Sequence, residues 1–283
     1  MARWPNTSRL ASRCDRSLTG WLASSFAARD VLVVFSAAIA VVAFLLSVRF
    51  VRDTAAHVAL EQAAHHGDEA PPPLREAFAR ATYRVPALRA CSQAGLVNNL
   101  NDGLAWGLVP LFLAAHGAGT AQIGLVAAIY PGVWSTAQIA TGHWSDTAGR
   151  KPLIAAGMLV QAAALALLAA SGGAVATAAI AAVALGIGTA LVYPTLIAAI
   201  SDAVAPVARA PAVGVYRFWR DMGYVAGALV AGIAADAIDY SGAIALVATL
   251  TAFSGLWVML DMPSARAPRQ GQVRAAATDR AVG

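Results

Sequence analysis

The chain has 283 residues, is 59% hydrophobic and 12% charged, and has a mean hydropathy of +0.63. Soluble domains are roughly 45–50% apolar and about 25% charged, so a water-borne core of this size could not hide the apolar surface and lipid must solvate much of it. The formal charge of +5 does not indicate a nucleic-acid partner: the arginines flank apolar runs, with no Cys/His zinc spacing or aromatic RNA-binding signature beside them.

Residues 1–30 form a basic amino-terminal segment. The apolar run 31–51 lies too far from Met1 and is too long for a cleaved signal peptide, so it reads as a retained helix. A linker over 52–91 contains His65-His66-Gly67-Asp68 and three prolines, then Leu74, Phe78, Tyr83 and Leu88 alternating with Arg75, Arg80, Arg84 and Arg89. That stretch is either an amphipathic helix on the cytoplasmic leaflet or a solvated linker. Six further apolar runs follow at 92–115, 121–143, 152–171, 174–200, 211–235 and 241–262, before a tail at 263–283. Each is near the roughly 20 residues that cross a bilayer core. Without water for their amides, helix is the viable state, and no barrel-like alternation is present. The expected fold is an all-α membrane protein of about seven transmembrane helices, six of them in one bundle over 92–262.

Charge sets the expected orientation. The connections near 116–120, 171–174 and 236–241 lack Lys and Arg, whereas Arg150, Lys151, Arg209 and the tail arginines mark the other side. Positive charge stays inside, which makes these basic connections and the carboxy terminus cytoplasmic, in a bacterial plasma (inner) membrane. Seven crossings then leave Arg3, Arg9, Arg13, Arg16 and Arg29 outside, a conflict that points to a truncated chain.

The third run ends in Gly142-His143-Trp144-Ser145-Asp146-Thr147-Ala148-Gly149-Arg150-Lys151. Gly142 would permit close helix approach, Asp146 would accept hydrogen bonds, and Gly149 would let the chain turn. Arg150 and Lys151 would hold the loop inside and pair with carboxylates. This decapeptide resembles the cytoplasmic loop motif of major facilitator superfamily transporters. Such motifs join helices two and three, and again eight and nine, of a twelve-helix fold. Four runs follow here, so the second copy fits. Leu18-Thr19-Gly20-Trp21-Leu22 is similar to the end of helix five, and Val51-Arg52-Asp53-Thr54 through Glu61 to the central linker. The resemblance covers residues 17–262 and implies the carboxy-terminal half of a transporter, with most of the amino-terminal half absent and a solute path running between halves.

Two polar clusters interrupt the apolar runs. Asn98, Asn99, Asn101 and Asp102 open the second, with positions 98, 101 and 102 placed on one helical face. An ionisable group in lipid is costly and belongs against a bundle interior or a water path. Asp102 is therefore a candidate for reversible protonation and the asparagines for substrate contact, or the cluster packs helices through hydrogen bonds. Arg217, Arg220 and Asp221 form the second cluster, with Arg217 and Asp221 spaced to pair at i, i+4. It is either a gate or anion-binding group, or a network steadying helix ends, with Asp202 as a further partner.

The leading expectation is secondary transport of a small solute by alternating access, with protons as a candidate drive, completed by a complementary half or a second copy. A truncated, non-transporting membrane protein and a membrane receptor are the alternatives. No enzyme is expected, because no Ser/His or paired-Asp arrangement falls on facing helices. No cofactor or metal is expected either: Gly186 and Gly188 make no nucleotide fingerprint, Cys14 and Cys91 match no metal spacing, and there is no Walker sequence.

Overall fold

The computed structural model describes residues 28–50 and 71–263, the side chains of His143 and Asp146 among those left aside. The basic segment 1–27, the histidine-containing part of the linker and the tail from 264 lie outside the described residues. Contacts divide the chain into two units, Met1–His66 and Gly67–Gly283. In the first, α1 (Ala28–Phe50) is a 23-residue helix whose exposed surface is mostly apolar, with Val34, Phe44, Leu45 and Val48 among its exposed side chains.

The second unit starts with a short helix, α2 (Leu74–Ala79), which runs into a π-helical turn at Arg80–Arg84. Six long helices follow: α3 (Pro86–Ala115), α4 (Thr120–Ala148), α5 (Arg150–Ala169), α6 (Val175–Asp202), α7 (Pro206–Ala237) and α8 (Tyr240–Asp261). Among the described residues, every regular element is helical. Proline opens α3 and α7, where its missing N–H costs nothing. The Asp239 carboxylate caps α8 by accepting from the Gly242 N–H at 2.6 Å.

Two boundaries differ from the sequence reading. Pro86 starts a helix six residues ahead of the expected 92, because a proline at the first position is pre-set for helical φ, and the linker ends there. Pro206 does the same for α7, leaving Pro211 inside the helix. The extended Val85 breaks the expected amphipathic helix, so Leu88 and Arg89 belong to α3. In the remaining piece, Ala77, Ala79 and Ala81 are the buried residues, while Leu74 and Tyr83 are exposed. This lead-in is packed against α7: Phe78 meets Phe218 and Trp219, and the Trp219 indole N–H donates to Thr82 Oγ1 at 3.0 Å.

Among the described residues, length and composition alone make four segments able to cross a bilayer: Thr120–Gly142 of α4, and α5, α6 and α8. The longest helices, α3 and α7 at 30 and 32 residues, carry both polar clusters, which lower their hydropathy. They also pack on each other. A Cβ at Gly223 or Gly227 of α7 would collide with the Leu96 or Leu100 carbonyl of α3, so only glycine allows that approach. The other main pairings are α4 with α6, and α5 with both α6 and α8.

Depth is layered. One apolar cluster, including Leu88, Cys91, Met158, Leu196, Tyr216 and Val258, fills the end of the bundle that carries Arg150. Another, including Leu104, Phe112, Leu165, Leu185 and Val247, fills the opposite end. Between them on their helices sit Asn98 to Asp102, Gln161, Thr189 and Thr251, all but Leu100 polar and all buried. The bundle is two apolar slabs with a polar layer at mid-depth.

Candidate functional site

Asp102 is the seventeenth residue of α3, about 24 Å along a helix of about 45 Å at 1.5 Å per residue. The earlier start of α3 puts the cluster near the middle of its helix rather than at its opening. Three elements surround the carboxylate, which is 4% exposed. The Tyr130 hydroxyl of α4 donates to Oδ1 and the Tyr224 hydroxyl of α7 donates to Oδ2 at 3.4 Å. Thr189 of α6 lies 3.2 Å from the Tyr130 oxygen; since Tyr130 gives its single proton to Asp102, Thr189 is the donor there. Two hydroxyls from two helices thus replace the water that an ionised carboxylate would otherwise require.

The asparagines do something else. The Asn101 amide donates to Gln161 Oε1 at 2.8 Å, and Gln161 Nε2 donates to Asn98 Oδ1 at 2.9 Å. Thr251 of α8 donates to Asn101 Oδ1 at 2.7 Å. Asn99, 4% exposed, lies within 3.5 Å of Asn98 and beside Gly223. Positions 98 and 101 therefore converge on α5 and α8, while Asp102 points to α4, α6 and α7. The common face expected from spacing splits in two, because side chains 100° apart on a helix diverge once each reaches its own partner.

On α7, Arg220 takes the carboxylate assigned to Arg217 by spacing. Its Nε and Nη2 donate to Asp221 Oδ1 at 2.9 and 2.7 Å, and Nη1 donates to the Tyr193 hydroxyl at 3.0 Å. The guanidinium also lies 5.7 Å from the Tyr193 ring centroid, in cation–π range. Arg217 is exposed one turn away. Asp202 does not join this network. It pairs with Arg150 at 3.0 Å.

That pair gives the loop motif its geometry. Gly149 has φ +89 and ψ 155, a conformation open to glycine, and lets α5 start directly after α4. Arg150 bonds Ser145 at the end of α4 and Asp202 at the end of α6. Lys151 is half-buried in the first turn of α5, and Asp146 lies in the last turn of α4. Gly142 has no packing role: a Cβ there would meet nothing within 4 Å.

Sequence reasoning missed Tyr130, Thr189, Tyr193, Tyr224 and Gln161. Gln161 had a visible signal, since it is the one polar residue in α5 after its basic first turn. The tyrosines had none, because aromatics are ordinary in apolar helices.

A helical bundle with a polar layer at mid-depth, and a Gly-x3-Asp-x2-Gly-Arg-Lys turn whose arginine ties two helix ends, is matched by a family model. The model described as Major Facilitator Superfamily matches residues 91–280. The chain belongs to the major facilitator superfamily. No curated protein matches it. Membership makes this superfamily protein an integral, multi-pass membrane protein whose task is transport of small molecules across a bilayer.

Proposed function

We propose that the chain is one half of a secondary transporter that moves a small solute by alternating access, with Asp102 as the proton-coupling group. The observation that carries this reading is the placement of Asp102: buried at mid-depth, and held by hydroxyls from α4 and α7. A carboxylate accepts from both tyrosines. Once protonated it has become a donor with less acceptor strength, and its hold on Tyr130 and Tyr224 weakens. Since those tyrosines sit on different helices, a proton at Asp102 alters how α4 and α7 are tied to α3, which is the coupling that rocking of a half-transporter requires.

In this reading the end bearing Arg150 and Arg209 faces the cytoplasm of a bacterial cell, as charge bias requires. The Arg150 clasp on Ser145 and Asp202 is made or broken as the cytoplasmic helix ends move. A complementary half, or a second copy of the chain, completes the path.

The test uses the full chain in liposomes with an imposed pH gradient, a solute panel and a pH dye inside. Wild type is expected to give solute-dependent proton flux, and Asp102→Asn to lose it. Unchanged rate and pH dependence in Asp102→Asn removes the proton role. No flux with any solute, for the chain alone and for the chain joined to a complementary half, removes transport.

A further inference from the structure

Four aromatic rings form a ladder beside the Asp102 site. Trp106 of α3 and Tyr130 of α4 have centroids 6.0 Å apart, Tyr130 and Trp134 lie 6.4 Å apart and nearly parallel, and Trp134 meets Tyr193 of α6 edge-on at 5.8 Å. Arg220 closes the far end through the hydroxyl and ring of Tyr193. Ordinary core aromatics are sealed, but here Trp106 is 48% exposed and Trp134 and Tyr193 are half-buried, so ring surface remains available to a guest.

The polar groups left over along the ladder are donors. Trp134 Nε1 is buried and has no hydrogen-bond partner. The other two orphans among the described residues, Ser92 Oγ and Tyr216 OH, sit in side chains only 5% and 1% exposed, whereas the Trp134 ring is half-buried. Arg220 directs two N–H groups at a single oxygen of Asp221 and one at Tyr193, leaving two of its five donors. The carboxylate of Asp102 is occupied by Tyr130 and Tyr224 and is sealed behind them. On α7 beside the ladder Arg220 is paired with Asp221, and Arg217 stands exposed one turn away.

We propose that this ladder binds a flat aromatic solute carrying a carboxylate, with its ring against Trp106 and Trp134 and its anionic group on Trp134 Nε1 and Arg220. Rings supply flat apolar contact, the orphan indole N–H takes a carboxylate oxygen, and the guanidinium offers spare donors to an anion. This assignment rests on the transport reading above and names the substrate class of its site.

The test is saturable binding of 2-naphthoate to the purified full chain in nanodiscs, with cyclohexanecarboxylate and 2-naphthylmethylammonium as comparators. Naphthoate is expected to bind at least tenfold more tightly than either. Trp134→Phe, which keeps a ring and removes the donor, should weaken naphthoate binding about fivefold; Arg220→Gln should weaken it more than tenfold while leaving the cation unaffected. Thermal unfolding of each variant separates site loss from misfolding, and Arg220→Lys, keeping the charge, should recover part of the binding. Absence of saturable naphthoate binding, equal binding of cyclohexanecarboxylate, or preference for the cation each overturns the assignment. The transport reading fails separately: flux of some other solute without naphthoate binding sinks the assignment alone, and naphthoate binding without flux of any solute sinks transport alone.

Discussion

The two sides of α3 make opposite uses of the same polar chemistry. On one side, Asn98, Asn101, Gln161 and Thr251 hydrogen-bond among themselves across α3, α5 and α8, with exposures of 2% or less. On the other, Asp102 is tied to Tyr130 and Tyr224 on α4 and α7, next to half-exposed rings, an unpartnered indole N–H and a guanidinium. The first side is closed, neutral and made of amides whose donors and acceptors match. The second carries the charge and leaves donors over beside half-buried rings. On the proposed reading the carboxamide side works as a clamp and the acid side as a site, because only a group that can change protonation or bind a guest can report a change.

The contrast can be broken at several strengths. Asp102→Asn should cut proton-coupled flux more than about 100-fold, about 2.7 kcal/mol in barrier, while shifting the melting temperature little; a large stability loss with flux retained would reverse the two roles. Gln161→Leu should do the opposite, costing about 2 kcal/mol in denaturant unfolding from detergent because it strands the Asn98 side-chain oxygen and the Asn101 side-chain N–H. Asn98→Leu in that background should then cost less than it does alone, which a double-mutant cycle measures. Tyr130→Phe should cost about 1 kcal/mol and lower flux more than Tyr224→Phe, whose bond is 3.4 Å long on an exposed residue; equal effects would mean that the two tyrosines hold Asp102 alike. Asp202→Asn should change stability by under about 0.5 kcal/mol, since its half of the Arg150 pair is exposed, and its effect should appear in transport rate instead.

Much of this was legible beforehand, element by element. The six bundle helices appear where hydrophobic runs place them, because each backbone amide in lipid must be satisfied within its own helix. The loop motif was visible as a Gly-x3-Asp-x2-Gly-Arg-Lys pattern in a short basic connection, and the structure gives Gly149 a φ of +89 and pairs Arg150 with Asp202. The carboxylate of Asp102 stood out because charge in an apolar run is rare. The pairings were harder. Spacing put Arg217 with Asp221, but the adjacent Arg220 reaches the same carboxylate while anchoring on Tyr193, a residue 27 positions away.

Sequence by itself determined that this chain folds as membrane helices, where they run, and which few residues bear charge within them, since those follow from local hydropathy and backbone satisfaction. Tertiary structure alone decided which asparagines are consumed in a clamp, which tyrosines hold Asp102, and that the ladder's spare groups are donors. Hydrogen-bond partners between helices depend on rotation and depth of each helix, set by contacts such as Gly223 and Gly227 against α3, and no single helix carries that information in its own residues.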